Sequence, residues 1–366
     1  MPNPKLMFFI NGTETSAAGV RARMFAQQLS PQWDMQFNYR PRRKWQGIIP
    51  FIQSALHFKP DIIYVMDTAY TGVLAGCLSQ QLIGCKLITD TGDVAYELAK
   101  STGTYSKSQL VLIRWIEQMA IANSDCLIVR GSYHKQLLRE QGVQNVEFVP
   151  DGVNTQAISD IDPITAKAKL GLGNHLVVGL IGSMQWSERH RMCYGWDIIE
   201  ALKFLKGLPV KALLVGDGSG RPILEHLAER FEVRDQVVFS GQVPYEELPH
   251  YLAAMDVCVS TQSNDRVGIV RTTGKLPLYL AYGKYVIATD VGEASRVLPE
   301  VGCLLPYTGV RDDEHPARLA AQLQKVIAAP YLLEISEKAK QVAKKHFDYA
   351  MLATRIEKIC LDLVSA

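Results

Sequence analysis

Four consecutive residues in the second half of the chain, Thr272, Thr273, Gly274 and Lys275, stand directly before a run with helical spacing. The free backbone N–H groups at the start of a helix carry partial positive charge, and the lysine adds a full one. Because a cation is unfavourable there unless an anion binds, this arrangement predicts a diphosphate site. Arg271 adds positive charge to the same loop. The alternative interpretation is an ordinary solvated surface lysine.

Glycines follow two of the apolar runs that precede this site. Gly182 follows the run 175–181, and Gly216 follows a similar run and opens a GDGSG sequence. Glycine lets the backbone approach a phosphate closely, so both are candidates for contact with the same ligand. Tight turns are the alternative explanation. Arg189 and Arg191, on the loop after Gly182, are candidates for a second positive charge.

The elements that must position these residues are predicted to be alternating strands and helices. Short apolar runs at 6–10, 61–66 and 86–90 are followed by polar loops and helical patterns, and a second series begins at residue 175. Such alternation predicts parallel sheets, whose ligands bind at the carboxyl ends of the strands. At 366 residues the chain exceeds what one core usually supports. We therefore expect an α/β protein with two similar halves.

The overall composition is that of an ordinary globular protein, with 48% hydrophobic and 21% charged residues. A net charge of +2 gives no support for nucleic acid as a general partner. The seven cysteines form no CxxC pair, which favours buried thiols over disulfides or a zinc site. No apolar run approaches the ~20 residues that span a bilayer, and the first apolar run is too short for a signal peptide. We expect a cytoplasmic location.

Several segments occur in an order that resembles a known family. They are VPDGVN at 149–154, IGS at 181–183, LLVGDG at 213–218, the run from FSGQVP to DVCV at 239–259, and GKLPLYLAYGKYVIATD at 274–290. Together they resemble the family 4 retaining glycosyltransferases, which have the GT-B fold. The resemblance covers most of residues 125–330.

This resemblance implies two Rossmann-like domains that face a central cleft. Residues 1–155 would bind the acceptor, residues 156–346 would bind a nucleotide-sugar donor, and a last helix at 347–366 would pack back on the first domain. The expected donor is UDP- or GDP-linked, and the acceptor is a glycan, a lipid or a small metabolite. The resemblance implies no metal and no cofactor besides the donor.

The resemblance also assigns individual donor-binding residues. Lys275 matches the lysine that contacts the donor diphosphate. The remaining positions are Thr272, Thr273 and Gly274 in the backbone cradle, Gly182 and Gly216 near the nucleotide, Val243 at the base, and Gly19 in the first loop, which closes on the diphosphate and acceptor.

The chain departs from the family pattern beside Gly182. Ser183 stands where an arginine is usual, and Tyr194 stands where a lysine is usual. Arg189 and Arg191 are the candidates to replace this pair and to stabilise the departing diphosphate together with Lys275.

Carboxylates are also missing from their family positions. The paired glutamates of the family align with Val270 and Leu278, and Asp265 is the nearest carboxylate that could contact the sugar hydroxyls. In the first half, the loop that begins at Asp90 ends a predicted strand where the family often has a histidine that contacts the donor sugar. Asp93 is our catalytic candidate there, along with Asp90 and Thr91; a helix cap or Asx turn is the alternative.

A basic cluster at Arg40–Trp45 precedes an apolar helical stretch at 48–58. This combination is typical of a surface that rests on an anionic membrane, where each basic residue contributes about 1 kcal/mol. Such a contact would suit a lipid-linked acceptor. Alternatively, the apolar face packs on the domain's own sheet and the arginines are solvated.

The function that these features predict is metal-independent sugar transfer from a nucleotide sugar to an acceptor hydroxyl, with retention of configuration. The missing glutamates and the altered Arg/Lys pair leave two alternatives open. One is a non-catalytic subunit that binds a nucleotide sugar. The other is a nucleotide-sugar epimerase with the same fold.

Overall fold

The computed structural model describes residues 3–41 and 43–365, with no description of the Lys44 side chain. The chain divides into two compact units. The first unit contains the described residues up to Asn154, the short segment Ile269–Thr272, and the residues from Phe347 onward. The second unit contains Thr155–Gly268 and Thr273–His346.

Each unit is built on a parallel sheet. The strands of the first are β1 (Lys5–Ile10), β2 (Asp34–Tyr39), β3 (Ile62–Met66), β4 (Lys86–Thr91), β5 (Cys126–Val129) and β6 (Val146–Phe148), in the order β2-β1-β3-β4-β5-β6. The strands of the second are β7 (Leu176–Ile181), β8 (Val210–Val215), β9 (Val237–Gly241), β10 (Val257–Ser260), β11 (Tyr285–Thr289) and β12 (Gly302–Leu305), in the order β12-β11-β10-β7-β8-β9. The second order is that of a Rossmann fold.

Helices connect these strands and cover both faces of each sheet. The first unit's sequence up to Asn154 holds α1 (Ala17–Ala26), α2 (Ile48–Phe58), α3 (Tyr70–Ile83), α4 (Ala95–Thr102), α5 (Lys107–Asn123) and α6 (Ser132–Glu140). Next along the chain are α7 (Pro163–Lys169), α8 (Trp196–Leu202), α9 (Arg221–Arg230), α10 (Leu248–Ala254), α11 (Arg266–Ile269), α12 (Lys275–Ala281), α13 (Glu293–Val297), α14 (His315–Ala328) and α15 (Ser336–Phe347). The last helix is α16 (Tyr349–Ser365).

The first sheet is buried on both faces. Alternate residues of β1 point to opposite sides, so Phe8 packs with α1 and α16 on one face while Phe9 packs with α2, α3 and α5 on the other. This double burial explains why the strand is an unbroken apolar run rather than an alternating one.

Helix α16 belongs to the first unit. Its apolar residues Leu352, Ile356 and Cys360 are fully buried against α1 and β1. In the second unit the core lies between β7, β8 and β10 and the helices α8, α9 and α14. The predicted α/β architecture, with two Rossmann-like halves and a C-terminal helix on the first half, is therefore confirmed.

The sequence DID at 160–162 leads into a helix. Asp162 caps α7 and accepts hydrogen bonds from the N–H groups of Ile164 and Thr165. Within residues 3–41 and 43–365, no helix combines the length and apolar character needed to cross a membrane.

Candidate functional site

The second sheet has a point at which the chain reverses direction. From β7 the chain adds β8 and β9 on one side, and from β10 it adds β11 and β12 on the other. At such a switch point the loops after the two central strands diverge and leave a crevice for ligands. β7 ends at Ile181 and β10 ends at Ser260, so Gly182 and Thr261 begin the two diverging loops.

The predicted glycines Gly182 and Gly216 lie side by side at this edge of the sheet. Gly182 donates a hydrogen bond to the Val215 carbonyl at 2.9 Å, and Gly216 donates to the Gly241 carbonyl at 3.0 Å. A Cβ on Gly216 would lie 2.0 Å from the Gly182 carbonyl oxygen, and its φ is +136°. The two strand ends can approach this closely only because residue 216 is glycine.

Two further glycines of the GDGSG loop have a packing role. A Cβ on Gly218 would lie 2.5 Å from the Met184 carbonyl carbon, and one on Gly220 would lie 2.8 Å from the Met184 oxygen. The loop is also tied to residue 184 by hydrogen bonds in both directions, between Met184 N and the Asp217 oxygen and between Gly220 N and the Met184 oxygen. The turn explanation is therefore sufficient for these two glycines.

Lys275 is the first residue of α12, and its amine lies at the carboxyl end of β7. Nζ is 3.3 Å from the centre of the Tyr194 ring. A Cβ added to Gly182 would lie 3.6 Å from the same nitrogen. A cation over an aromatic face gains about 0.5–2 kcal/mol, so Tyr194 holds the positive charge beside Gly182 at the switch point.

Tyr279 fixes the helix that carries Lys275. Its hydroxyl accepts a hydrogen bond of 2.8 Å from the N–H of Ile181, the last residue of β7. The Tyr279 side chain is fully buried one turn after Lys275, and burial raises its pKa well above the usual value. Residues four apart lie on the same helix face, so this bond brings Lys275 toward β7. The sequence analysis missed Tyr279, whose only signal was its spacing from Lys275.

The predicted four-residue cradle is divided between the two units. Thr273 and Gly274 belong with Lys275 to the second unit, whereas Arg271 and Thr272 belong to the first. A Cβ on Gly274 would meet no atom within 4 Å. The protein's own packing therefore does not require a glycine at 274, in contrast to Gly216.

Arg189 and Arg191 lie on a turn between Ser187 and Met192, whose ends are joined by a 2.9 Å backbone hydrogen bond. Both arginine side chains are exposed. Arg191 has a φ of +51°, and its carbonyl accepts a hydrogen bond from Arg311. Arg311, which the sequence analysis missed, also stacks on the ring of Trp196, with its Cζ 4.2 Å from the ring centre. Because Trp196 is the first residue of α8, Arg311 links the turn to that helix.

Asp265 is used as a helix cap. Its Oδ1 accepts hydrogen bonds from the Ser263 hydroxyl at 2.7 Å, the Val267 N–H at 3.1 Å and the Gly268 N–H at 2.9 Å. These contacts stabilise the start of α11 and occupy one carboxylate oxygen. Val243, the predicted base contact, is half-buried in the loop after β9.

The positions aligned with the missing glutamates are apolar and at least partly buried. Val270 is 2% exposed. Its carbonyl lies close to Gly131, and a Cβ added to Gly131 would be 2.0 Å from the Val270 oxygen. Leu278 is half-buried on α12. Val270 is buried and Leu278 is half-buried, and neither side chain offers a polar group to a ligand.

A buried polar cluster below the switch point was not predicted. The Asp197 carboxylate at the start of α8 accepts hydrogen bonds from the Thr261 hydroxyl and the Ile198 N–H, and Nε2 of His315 lies 3.6 Å away. Burial alone would raise the pKa of Asp197, but His315 and Thr261 outweigh burial and lower it. This cluster joins the loop after β10 to α8 and α14. The sequence signal was a threonine directly after an apolar run.

In the first unit, Asp93 is paired with Arg271. The Arg271 Nε lies 2.5 Å from Asp93 Oδ1, and both side chains are partly exposed. The neighbouring Thr272 donates its hydroxyl to the Arg130 carbonyl. The two predicted residues Asp93 and Arg271 thus come together at the carboxyl edge of the first sheet, where a carboxylate and a guanidinium are available to one polar ligand.

Asp90, the neighbouring candidate, is a structural residue. Its carboxylate is completely buried and accepts hydrogen bonds from Arg21 Nε at 2.9 Å, Arg130 Nε at 2.8 Å and the Tyr64 hydroxyl at 2.9 Å. Burial alone would raise the pKa of Asp90, but the two guanidinium groups outweigh it and lower the pKa. The interpretation of Asp90 as a residue that faces a ligand is therefore wrong. Asp151 adds an ion pair to Arg21 at 3.5 Å.

Gly19 is required by its own loop. A Cβ on Gly19 would lie 2.4 Å from the Thr13 oxygen and 2.5 Å from the Glu14 oxygen, because the loop after β1 folds over the first turn of α1. Ser16 caps this helix by accepting a hydrogen bond from the Gly19 N–H at 3.2 Å. The glycine predicted to close on a ligand is thus explained by the packing of the loop.

His134, near the start of α6, was also missed. Its side chain is buried, and burial lowers the pKa of His134 to about 4 although Asp93 opposes the shift. The imidazole is therefore neutral at neutral pH. It lies close enough to Asp93 to feel that charge, so the carboxyl edge of the first sheet contains a neutral histidine.

Comparisons with known proteins agree with this geometry. Residues 175–329 match the family model described as glycosyl transferases group 1. D-inositol 3-phosphate glycosyltransferase of Xylanimonas cellulosilytica is 27% identical over 186 residues, which are 48% of this chain and 43% of that protein. 2-deoxystreptamine glucosyltransferase of Streptomyces kanamyceticus is 23% identical over 280 residues, 72% of this chain and 71% of that one. The match thus spans less than half the length of the first relative.

Solved structures extend the similarity to the whole chain. Sucrose-phosphate synthase of Thermosynechococcus elongatus superposes with a TM-score of 0.81 at 18% identity, covering 99% of each chain. HepE of Anabaena, crystallised with UDP-glucose, superposes with a TM-score of 0.78 at 16% identity, covering 98% of this chain and 99% of that one. The fold of this chain is therefore the GT-B fold, and its second unit is similar in sequence to group 1 glycosyltransferases.

Proposed function

We propose that the protein is a glycosyltransferase that moves a sugar from a nucleotide-sugar donor to an acceptor hydroxyl with retention of configuration and without a metal. The observation that carries the proposal is the Lys275 amine, held by Tyr194 beside Gly182 at the switch point of a Rossmann-type sheet. Such a point is where nucleotide ligands bind in this fold, and a fixed cation there suits a diphosphate. The match of residues 175–329 to glycosyl transferases group 1 supports the same assignment.

The donor would bind to the second unit through its diphosphate. Lys275 contacts the phosphate oxygens, and the open space beside Gly274 lets the ligand reach the backbone at the start of α12. Arg189 or Arg191 adds a second charge from the turn after β7. Because HepE binds UDP-glucose, we propose UDP-linked donors first and GDP-linked donors second.

The chemical step exchanges one bond at the anomeric carbon for another. The bond from that carbon to the diphosphate oxygen breaks, and a bond to the acceptor oxygen forms on the same face of the sugar. The acceptor's proton passes to the departing phosphate. Negative charge grows on the diphosphate as its bond breaks, so a preorganised cation lowers the barrier by about 3–4 kcal/mol. No protein nucleophile is needed.

The first unit would bind the acceptor, which we expect to be a glycan, a lipid or a small metabolite. Asp93 and Arg271, paired at the carboxyl edge of the first sheet, supply a carboxylate and a guanidinium for hydroxyl groups. The neutral His134 lies at the same edge. These residues would orient the acceptor hydroxyl rather than react covalently.

Calorimetry with UDP, GDP and ADP and their common sugar conjugates tests the donor site, with and without EDTA. We expect one nucleotide to bind regardless of EDTA, and Lys275→Ala to weaken it strongly and to slow transfer about a hundred- to a thousandfold. Lys325→Ala, which removes an exposed lysine from α14, is the matched control. Unchanged turnover in Lys275→Ala would rule out this role, and anomer analysis of the product by NMR tests retention.

A second candidate is a non-catalytic subunit that binds a nucleotide sugar. It is favoured by one observation, the apolar side chains of Val270, which is buried, and Leu278, which is half-buried, where the resemblance expects carboxylates. The same calorimetry separates the two candidates when combined with a hydrolysis assay. Tight nucleotide binding with no transfer and no donor hydrolysis, over a broad acceptor panel, would favour the subunit.

We propose a cytoplasmic location with peripheral membrane contact near Arg40–Trp45. Arg42 in this cluster lies outside the described residues. Cell fractionation into cytosol and membranes, before and after a high-salt wash, tests this location. A protein found in a secreted fraction would contradict it.

A further inference from the structure

Three helices of the first unit form one layer on the sheet, with α3 between α2 and α5. Phe51 and Ala55 of α2, Val73 of α3 and Ile116 and Ala120 of α5 share one buried cluster with β1 and β3. The inward side of each helix is thus fully occupied by the unit's own core. The outward sides of these helices are therefore not needed for the core of the unit.

The outward sides are unusually apolar. Trp45 is 64% exposed, Ile49 66%, Val111 69% and Trp115 49%. Sixteen large apolar residues of the described chain are exposed, and nine of them lie on this layer or its adjoining turns. We call these nine the α2–α5 face: Trp45, Ile49, Leu56, Leu78, Leu82, Tyr105, Val111, Leu112 and Trp115. Scattered apolar residues need no explanation, but a concentration on one layer indicates an interaction surface.

The charge of the same segments is one-sided. Residues 35–60, 68–85 and 98–116 contain no Asp or Glu. They contain eight Lys or Arg residues, at positions 40, 42, 43, 44, 59, 100, 107 and 114. Because the whole chain carries a net +2, the remainder of the sequence carries −6. Six of the eight have described side chains, at positions 40, 43, 59, 100, 107 and 114, so the segments that carry the α2–α5 face have a net positive charge.

We propose that the α2–α5 face docks on an anionic lipid bilayer. Trp45, Trp115 and Tyr105 have ring systems that suit the headgroup level, and the aliphatic side chains between them enter the acyl boundary. The surrounding lysines and arginines bind the acidic headgroups. Two signals together, apolar insertion and a basic patch, are what stable peripheral binding requires.

The positive charge and the apolar residues of the face together favour a bilayer over a second copy of the chain or a nucleic acid. A second copy of the chain would bring the same basic residues against one another in a symmetric contact, which is repulsive. A nucleic acid would use the charge but would leave the aliphatic residues Ile49, Leu82 and Val111 without a matching surface. An anionic bilayer satisfies both the basic and the apolar parts of the face.

The docked orientation bears on the proposed function. α2 and α5 run from the carboxyl edge of the sheet back to its amino edge. The turn before α2 and the first halves of α2 and α5 therefore lie toward the carboxyl edge, and they carry Trp45, Ile49, Val111 and Trp115. A bilayer on this face would lie beside the edge at which the acceptor is proposed to bind, and a lipid-linked acceptor would be presented there. This last step depends on the proposed sugar transfer, whereas docking, which extends the membrane contact proposed near Arg40–Trp45 to a whole face, does not.

Vesicle binding without nucleotide tests the docking directly. The probes are vesicles of phosphatidylcholine alone and of phosphatidylcholine mixed with phosphatidylglycerol, the second kind also with brominated acyl chains. We expect salt-sensitive binding to the anionic vesicles and quenching of tryptophan fluorescence by the brominated chains. Trp33 and Trp196 are buried, and Trp186 is half-buried in the second unit, so Trp45→Phe combined with Trp115→Phe should remove most of the quenching.

Two variants and two matched controls assign the contact. Lys107→Glu reverses a charge at the start of α5, where Glu is favourable for the helix, and should weaken binding about thirtyfold. Trp115→Ser should weaken it about tenfold. Arg355→Glu on α16 and Tyr331→Ser, 68% exposed in the second unit, should bind as the wild type does.

Three outcomes would overturn the proposal. One is a failure to attribute anionic-vesicle binding to this face, seen either as no binding by the wild type or as equal loss of binding in Arg355→Glu and Lys107→Glu. Another is a wild-type dimer that ignores vesicles and becomes monomeric in Trp115→Ser, which would assign the face to a second copy. The third is RNA binding unchanged in Trp115→Ser, without vesicle binding, which would assign the charge to nucleic acid.

Discussion

Replacing Asp90 by Asn should destabilise the first unit by about 3 kcal/mol. The carboxylate is fully buried between Arg21 and Arg130 and also accepts a hydrogen bond from Tyr64. Asn keeps the shape but removes the charge, and its amide group presents N–H donors toward guanidinium donors. Breaking a buried ion pair in this way typically costs 3–5 kcal/mol, because the remaining charge stays buried without compensation.

The lower end of that range applies because both arginines keep other partners. Arg21 still donates to the Pro150 carbonyl at 2.7 Å and to the Val149 carbonyl at 2.8 Å. Arg130 keeps its ion pair with Asp67 at 2.7 Å. These contacts limit the loss to about 3 kcal/mol, or roughly 6–12 °C in the melting temperature of a unit of this size.

Calorimetry and urea unfolding, with tryptophan fluorescence as the probe, measure this change. Asp34→Asn removes an exposed carboxylate from the same sheet and is the matched control; as a surface substitution it should change stability by less than about 0.5 kcal/mol. Because the pKa of Asp90 is lowered in the fold, its contribution is complete above the unfolded pKa of about 4 and is lost as the pH falls below it. A cost below about 1 kcal/mol in Asp90→Asn would refute the assignment of Asp90 as a structural ion.

Three further predictions concern both units. Tyr194→Leu removes the ring under the Lys275 amine and should weaken nucleotide binding about three- to thirtyfold in calorimetry, without loss of the fold. Gly216→Ala should cost about 1–3 kcal/mol in urea unfolding, because its Cβ would lie 2.0 Å from a backbone oxygen, whereas Gly274→Ala should be tolerated. Because the pKa of His134 is lowered to about 4, stability should fall by about 3 kcal/mol as the pH drops from about 6.5 to 4, and His134→Leu should flatten that dependence.

The fold was predictable where the pattern is local. β1 is an unbroken apolar run, and a strand buried on both faces of a parallel sheet requires such a run. The helical pattern at 108–122 corresponds to α5, Lys107–Asn123. The order of strands across each sheet depends on long-range pairing, which no local pattern encodes. No strand order was predicted, and the resemblance implied only that both halves are Rossmann-like.

The site was predictable only in part, because local sequence determines the position of some of its residues and distant residues determine the burial of others. Gly182 and Gly216 follow apolar runs, and the strand ends place them together. Asp90 also follows an apolar run, so the same rule marks it as a ligand contact. Its burial depends on Arg21 and Arg130, which are distant in sequence. Position at a strand end therefore predicts proximity to a site, but it does not distinguish a ligand contact from a buried ion.

The contact between Lys275 and Tyr194 bears on one departure from the family pattern, the tyrosine at position 194. The resemblance expects a lysine at position 194, directly before α8, and the chain has a tyrosine there. The amine of Lys275, which the resemblance itself assigns to the donor diphosphate, rests on that tyrosine. Tyr279 makes this possible, because its hydrogen bond to Ile181 binds α12 to the end of β7. One positive charge is thus present at the switch point although the second lysine of the family pattern is missing, so the loss of that lysine alone does not argue against donor binding.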